Sequence, residues 1–376
     1  MHKVGHRAAE QPVEQEIMSR TAIPSALARR EVLRRAGLGA GVLTLGGAVT
    51  ATPALARSGV FSVLKSRTKV VLGWGGATCE APLWAAYHKG FFAAEGLDVD
   101  LLKVTAGYNT SNLLSAGKLN GAQGIVYTFL KPIEQGADVR VTAGLHTNCL
   151  RVVVAKHSGI HKAADFRGKS IGVGSLGDAG MSLFTVLLAE NGVDPQKDVN
   201  WKVYKPTLFG AALDKGEIQA VAAPDPFAYI LVLRGQASQV GNNVFGLFGN
   251  PAGLNPHRFC CAVALQGKLI REQPKVAAAL TRAWLKGSYY AGGHIHEMSI
   301  IETANKHVTL PQSTVEQLLS SYHFSPSATL VKDDILTATR NFKRSGFLDP
   351  NTDPDKLAQA IYVDIFKLAG EAAPTF

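Results

Sequence analysis

The sequence predicts an α/β protein built from two doubly wound, mostly parallel sheets. Three observations predict it. Residues 69–144 alternate short apolar runs with amphipathic runs at helical spacing, and residues 165–233 do so again. The chain has 376 residues, enough to hold two domains or lobes with a core each. Hydrophobic residues make up 46% and charged residues 18%, a composition of folded chains rather than disordered ones.

The first run opens with a strand over 69–73 and a loop over 74–81. Pro82 suits the first position of a helix, where its missing N–H has no partner to lose. Leu83, Ala86, Tyr87, Phe91 and Ala94 follow at helical spacing, and Gly96 stops the helix. Leu97, Val99, Leu101 and Val104 then read as a strand. A polar loop over 105–110 leads to a short helix over 111–116, a buried strand over 123–126, a helix over 127–135 and a strand over 139–143. An apolar strand over 150–155 leaves this lobe. The second run has a strand ending at Val173, a helix over 181–191, a strand over 199–203, a helix over 208–215 and a strand over 218–222. Asp225-Pro226-Phe227 opens a helix to Leu233. A returning strand covers 259–265. Helices over 274–290, 314–322, 332–345 and 354–369 close the chain.

Several stretches carry a resemblance. Pro82 begins a helix that ends Lys89-Gly90-Phe91-Phe92, followed by Glu95-Gly96-Leu97-Asp98-Val99. Asp165-Phe166-Arg167-Gly168-Lys169-Ser170-Ile171-Gly172-Val173 opens the second run, and Asp225-Pro226 marks a later turn. Together they resemble the nitrate/sulfonate/taurine/thiamine-pyrimidine group of ABC-importer solute-binding proteins. The resemblance covers roughly 69–290. It implies a periplasmic-binding-protein-like fold of type II, two doubly wound lobes joined by two crossing segments, with a ligand cleft between them. Lobe one is expected from 69–152 plus 256–376, and lobe two from 153–245. It also implies a monomer that captures a small polar solute and delivers it to a membrane permease, with no enzymatic activity and no cofactor. The alternative is an enzyme resembling the thiamine-pyrimidine synthase of the same superfamily, of which Phe259-Cys260-Cys261 is a short echo.

The N-terminus reads as an export signal covering 1–56. Arg29-Arg30 precedes an uncharged, weakly apolar stretch that closes Ala54-Leu55-Ala56, the small-x-small pattern that signal peptidase needs. Paired arginines before such a stretch resemble a twin-arginine signal and imply a periplasmic location. Met18 is an alternative start. The formal charge is +10, and 1–56 hold seven of the 39 cations against four of the 29 acids. The remaining cations form no run and no stripe interleaved with aromatics, which argues against nucleic acid as a partner.

In such a fold the ligand meets loops at strand carboxyl ends and helix N-termini. The expected site residues are therefore those just after a strand or opening the next helix. Lobe one offers Trp74, Thr78, Cys79, Tyr108, Asn109, Thr110, Tyr127, His146 and Asn148. Lobe two offers Gly177, Asp178, Ala179, Gly180, Thr207 and Asp225. Glu80, Asp178 and Asp225 near the cleft favour a ligand with an amine or ring N–H donor, with aromatic contact from Trp74 or Tyr127. Gly172-Val173-Gly174-Ser175-Leu176-Gly177 matches G-x-G-x-x-G. No acid follows at the end of the next strand to hold a ribose, so a dinucleotide is not expected. The four cysteines include no C-x-x-C, so no metal is expected. A disulfide from Cys149 to Cys260 or Cys261 is one reading, and buried free thiols the other. His294-Ile-His296-Glu297 reads as an exposed helical turn, because residues two apart on a helix point different ways.

Overall fold

The computed structural model describes residues 64, 66–104 and 110–376. The expected export signal, and Tyr108 and Asn109, lie outside the described residues. The strands are β1 (Thr68–Trp74), β2 (Leu97–Lys103), β3 (Gly121–Ile125), β4 (Val139–His146), β5 (Leu150–Ala155), β6 (Ser170–Val173), β7 (Asn200–Val203), β8 (Ala220–Pro224), β9 (Ala237–Asn242), β10 (Gly246–Leu247), β11 (Cys261–Gln266) and β12 (Phe324–Ser327).

They form two six-stranded sheets, ordered β12-β4-β11-β3-β1-β2 and β10-β9-β5-β8-β6-β7. The two share one plan. In the first, β1 pairs in parallel with β2 and β3, and in the second β6 pairs in parallel with β7 and β8. One antiparallel strand is inserted next: β11 between β3 and β4, and β5 between β8 and β9. Each inserted strand has arrived from the other sheet, so it enters from the cleft side and must run the other way. The alternating pattern therefore gives the parallel trios, while the insertion reverses one strand per sheet. The second sheet draws its strands from 150–247, so it begins three residues before the expected lobe boundary at 153. The chain crosses between sheets at 147–149 and again at 248–260.

The predicted long helix from Pro82 is two helices, Ala81–His88 and Phe91–Ala94. Gly90 between them has φ 74°, a left-handed conformation that glycine takes without a Cβ penalty. The closing helix over 354–369 is likewise split into Pro354–Ile361 and Ile365–Ala369. Tyr362 between them bridges to Val141 of β4. His294-Ile-His296 lies, with both histidines exposed as expected, at the first turn of a helix, Ile295–Ala304.

The first core lies between the sheet and the helix Pro274–Gly293, whose Trp284 is fully buried, as is Trp84 of the Ala81–His88 helix. Arg282 of the long helix is also fully buried, with Nε 2.9 Å from Glu95 and Nη1 2.6 Å from Glu371. A second cluster gathers Val153, Phe209, Ile218, Val221 and Ala228 on one face of the second sheet. Among the described residues no helix is long and apolar enough to cross a membrane.

Candidate ligand-binding cleft

The carboxyl ends of β1 and β3 face those of β6 and β8 across a cleft of about 700 Å³. Both lobes line it. Trp74, Ile125 and Phe129 come from the first, and Phe209, Pro224 and Phe227 from the second, so the walls are mainly apolar and aromatic. The polar side chains on the lining are Cys79, Glu80, Thr110, Gln123, Thr128, Asp178, Thr207 and Cys261, with the exposed Lys103 and Lys205. The Lys103 ammonium lies 4.7 Å from the Trp74 ring centroid. A second cavity of about 570 Å³ adjoins the first, sharing Thr110, Thr128 and Asp178 with it.

Of the expected residues, Trp74, Cys79, Thr110, Asp178, Ala179 and Thr207 line the cleft. Tyr127 and Gly177 line the adjoining cavity. The Tyr127 hydroxyl accepts a bond of 3.1 Å from Asn255, and its ring stacks on Phe342 at 5.6 Å. Thr78, His146, Asn148, Gly180 and Asp225 do not line either space. Thr78 is buried with its hydroxyl 2.9 Å from that of Tyr322. Asn148 sits at the first crossing with φ 66°, donating 2.7 Å to the Ser321 carbonyl. Gly180 is glycine for packing: a Cβ there would stand 2.1 Å from the Ala222 carbonyl oxygen. Asp225 is fully buried against Arg151, whose Nε lies 2.8 and 3.0 Å from its two oxygens. The same guanidinium donates to Gln239 and to Ser321, and Tyr322 donates to Asp225 at 3.2 Å, so this cluster joins the lobes behind the cleft.

The acids near the cleft are consumed locally. Glu80 accepts from the amides of Gly75 at 2.6 Å, Gly76 at 2.9 Å and Ala77 at 3.2 Å. Burial pushes its carboxyl up to about 7 against the pull of those amides. Asp178 accepts from Gly174 at 2.7 Å, Ser175 at 3.1 Å and Met181 at 2.8 Å, the last as N-cap of the Ala179–Glu190 helix. The glycine-rich match thus shapes a turn around its own aspartate. In each lobe the strand-end amides that would grip an anion already hold a carboxylate of the chain. Of the three acids expected near the ligand, Asp225 is off the lining and paired with Arg151, while Glu80 and Asp178 line the cleft with oxygens already engaged by backbone amides.

Sequence reasoning missed Gln123 and Cys261. Gln123 is buried in β3; its Nε2 donates to the Cys79 carbonyl, while its Oε1 is buried without a partner. A glutamine amid the small apolar residues of β3 was the available signal. Cys149 is bonded to Cys260 across the two crossings, so the vicinal pair is divided. Cys261 stays free, its sulfur 3.6 Å from that of Cys149, and Cys79 is free as well. His146 lies opposite Cys261 in the β4–β11 ladder. Its Nε2 is 2.8 Å from the Cys79 carbonyl and its Nδ1 3.1 Å from that of Thr147. Two carbonyl acceptors call for two ring N–H groups, the imidazolium form. Burial opposes that charge, but the Cys261 sulfur and the two carbonyls raise the His146 pKa overall. Burial likewise opposes a Cys261 thiolate, yet the Cys79 hydrogen bond and the imidazolium bring its pKa down. The same hydrogen bond, with burial, holds the Cys79 thiol well above its usual value.

The NMT1-like family matches this chain over residues 65–304. Among curated proteins, the chain is 27% identical over 269 residues to the bicarbonate transport ATP-binding protein CmpC of Synechocystis sp.. That match takes in 67% of this chain but 38% of CmpC, so the chain spans well under half the length of that relative. Among solved structures, the fold is similar to the periplasmic nitrate-binding protein NrtA from Synechocystis PCC 6803, with TM-score 0.65 and 17% identity over 81% of this chain and 88% of the other. The alkanesulfonate-binding protein SsuA from Xanthomonas axonopodis pv. citri, bound to MOPS, also has TM-score 0.65, with 18% identity over 80% and 99%. The desulfurization enzyme DSZB shares the fold more distantly, with TM-score 0.52 and 16% identity over 81% and 99%.

Proposed function

Because the chain belongs to the NMT1-like family, we propose that it is an exported solute-binding protein that captures a small organic solute and delivers it to an ABC-importer permease. The observation that carries this reading is the cleft of about 700 Å³ at facing strand ends, lined by both lobes and walled mainly by apolar and aromatic side chains. Two lobes joined by two crossing segments are suited to close on a solute held between them. The paired arginines and the Ala54-Leu55-Ala56 close support export through the twin-arginine route, followed by cleavage.

The walls favour an organic solute over a bare ion. Nitrate or bicarbonate would find the strand-end amides occupied by Glu80 and Asp178. A ring has the side chains of Trp74, Phe129, Phe209 and Phe227 to pack against. A negative substituent would reach Lys103 or Lys205 at the mouth. An aminopyrimidine or a ring-bearing sulfonate meets these demands.

The chain is proposed to bind without turning its solute over. Cys260 is tied to Cys149, which withdraws it from the thiol cluster that a synthase-like enzyme would use. The test is a calorimetric and melting screen of the purified chain against nitrate, sulfate, alkanesulfonates, taurine and pyrimidines, with chelator present. A ring-bearing solute should bind, raise the melting temperature and be recovered unchanged, and Trp74→Ala should weaken it at least about tenfold. Binding of nitrate alone would overturn the organic solute, and chemical conversion of the solute would overturn the transport reading.

A further inference from the structure

The cavity of about 570 Å³ beside the cleft differs from it in chemistry. Its walls come from the first lobe's helices Thr110–Ser115 and Tyr127–Glu134 and from the second lobe's turn over 175–178. Thr110, Ser111, Asn112, Gln135 and Ser175 line it, all polar and uncharged. None of these five side chains enters a hydrogen bond among the described residues. Ser111 is 8% exposed, which leaves its hydroxyl the cavity in which to find a partner. The charges on the lining are already balanced. Lys131 is ion-paired with Glu134 at 2.6 Å, and the Asp178 carboxylate is held by backbone amides. Thr110, Thr128 and Asp178 border both spaces, so one runs into the other.

We infer that this cavity is a second subsite of the cleft, and that it holds a neutral, hydroxyl-bearing tail of a solute whose aromatic ring sits in the first space. The inference rests on the reading of the cleft as a solute site. Each space alone is the size of a complete small-molecule pocket, roughly 300–1,000 Å³, so a single ring leaves the second unfilled. Hydroxyls of a tail both donate and accept, as do the serine and threonine hydroxyls and the asparagine and glutamine amides that meet them. A charged tail would find no free countercharge, since Lys131 and Asp178 are engaged. An apolar tail would strip Ser111 of water and give it no partner. With the ring seated, the tail binds as part of the same molecule, at a high effective concentration. Each neutral hydrogen bond then adds a few-fold in affinity, so two such bonds add about tenfold.

The test is calorimetric titration of the full chain with two sets of probes: phenyl β-glucoside, phenol and glucose; cytidine, cytosine and ribose. In at least one set the joined compound should bind about tenfold tighter than its bare ring, and the free sugar more weakly than either. Asn112 is exposed and lines the second cavity but not the first, so Asn112→Trp fills that space without entering a core. It should bring the ratio of joined to bare affinity down to near one. Trp74→Ala should weaken joined and bare compounds alike and keep the ratio. Should Asn112→Trp not fold, Gln135→Trp, exposed on the same cavity, answers instead. Joined compounds that bind no tighter than bare rings, or a ratio that the added tryptophan leaves unchanged, would overturn the subsite and leave capture of a ring-bearing solute standing. If no compound of either set binds, the subsite falls, and the ring-bearing solute is judged on its own screen.

Discussion

Replacing Cys149 and replacing Cys260 should have unequal effects. The disulfide closes a loop with a sequence separation of 111, reaching from the first crossing to the second. In the chain-entropy account a loop of that length stabilises by about 5 kcal/mol, and native bonds commonly deliver roughly 2–5 kcal/mol. Cys149→Ala removes this contribution, and roughly 3–5 kcal/mol should be lost. Cys260→Ala leaves Cys149 with the sulfur of Cys261 only 3.6 Å away. A bond between these two closes a loop one residue longer, so the entropic contribution returns almost whole. The loss should then be about 1–2 kcal/mol, from the small cavity and the local adjustment. The assay is urea unfolding without reductant, with peptide mapping to identify the bonded pair. Equal destabilisation of both variants, with Cys149 found as a free thiol in Cys260→Ala, would refute the reasoning.

Three further outcomes follow from buried charges. Asp225→Asn strips Arg151 of its carboxylate in a site where both are buried, and should cost about 3–5 kcal/mol in denaturant unfolding. Asp334 accepts from the amides of His257 and Phe259, each at 2.7 Å, and burial pushes its carboxyl up from 3.8 to about 6. A carboxyl raised on folding favours the folded chain below its unfolded pKa, and the advantage fades as pH rises through the folded value. The stability of the unmodified chain relative to Asp334→Asn should therefore fall by about 2–3 kcal/mol between pH 4 and pH 7, and a flat difference would contradict this. Glu302 is fully buried with neither carboxyl oxygen partnered, and burial holds it well above its usual pKa. Glu302→Met should stabilise by about 1–3 kcal/mol at pH 8, read as a higher urea midpoint.

Much of the fold was legible because it is local. Hydrophobic spacing is set within each element, so both alternating runs could be read directly. The unread pieces are those that other parts of the chain decide. β10 is two residues long, and β12 is a strand only because it pairs with β4. Gly90 breaks a helix that Leu83–Ala94 periodicity would continue. At the cleft, position after a strand located Trp74, Thr110, Ala179 and Thr207 on the lining, because topology alone puts them there. It misjudged the carboxylates, since a strand-end acid looks the same whether it meets a ligand, its own loop or a distant arginine. Asp178 meets its loop, and Asp225 meets Arg151, 74 residues earlier. Gln123 was overlooked because it lies inside a strand, where side chains ordinarily serve packing.

The bond between Cys149 and Cys260 also acts on how the lobes can move. Two chain segments crossing side by side can bend together, slide past each other or spread apart. A covalent link between them at the crossing suppresses sliding and spreading and leaves bending. A closing motion under that link would turn about one axis and would bring Trp74 to the same wall of the second lobe each time.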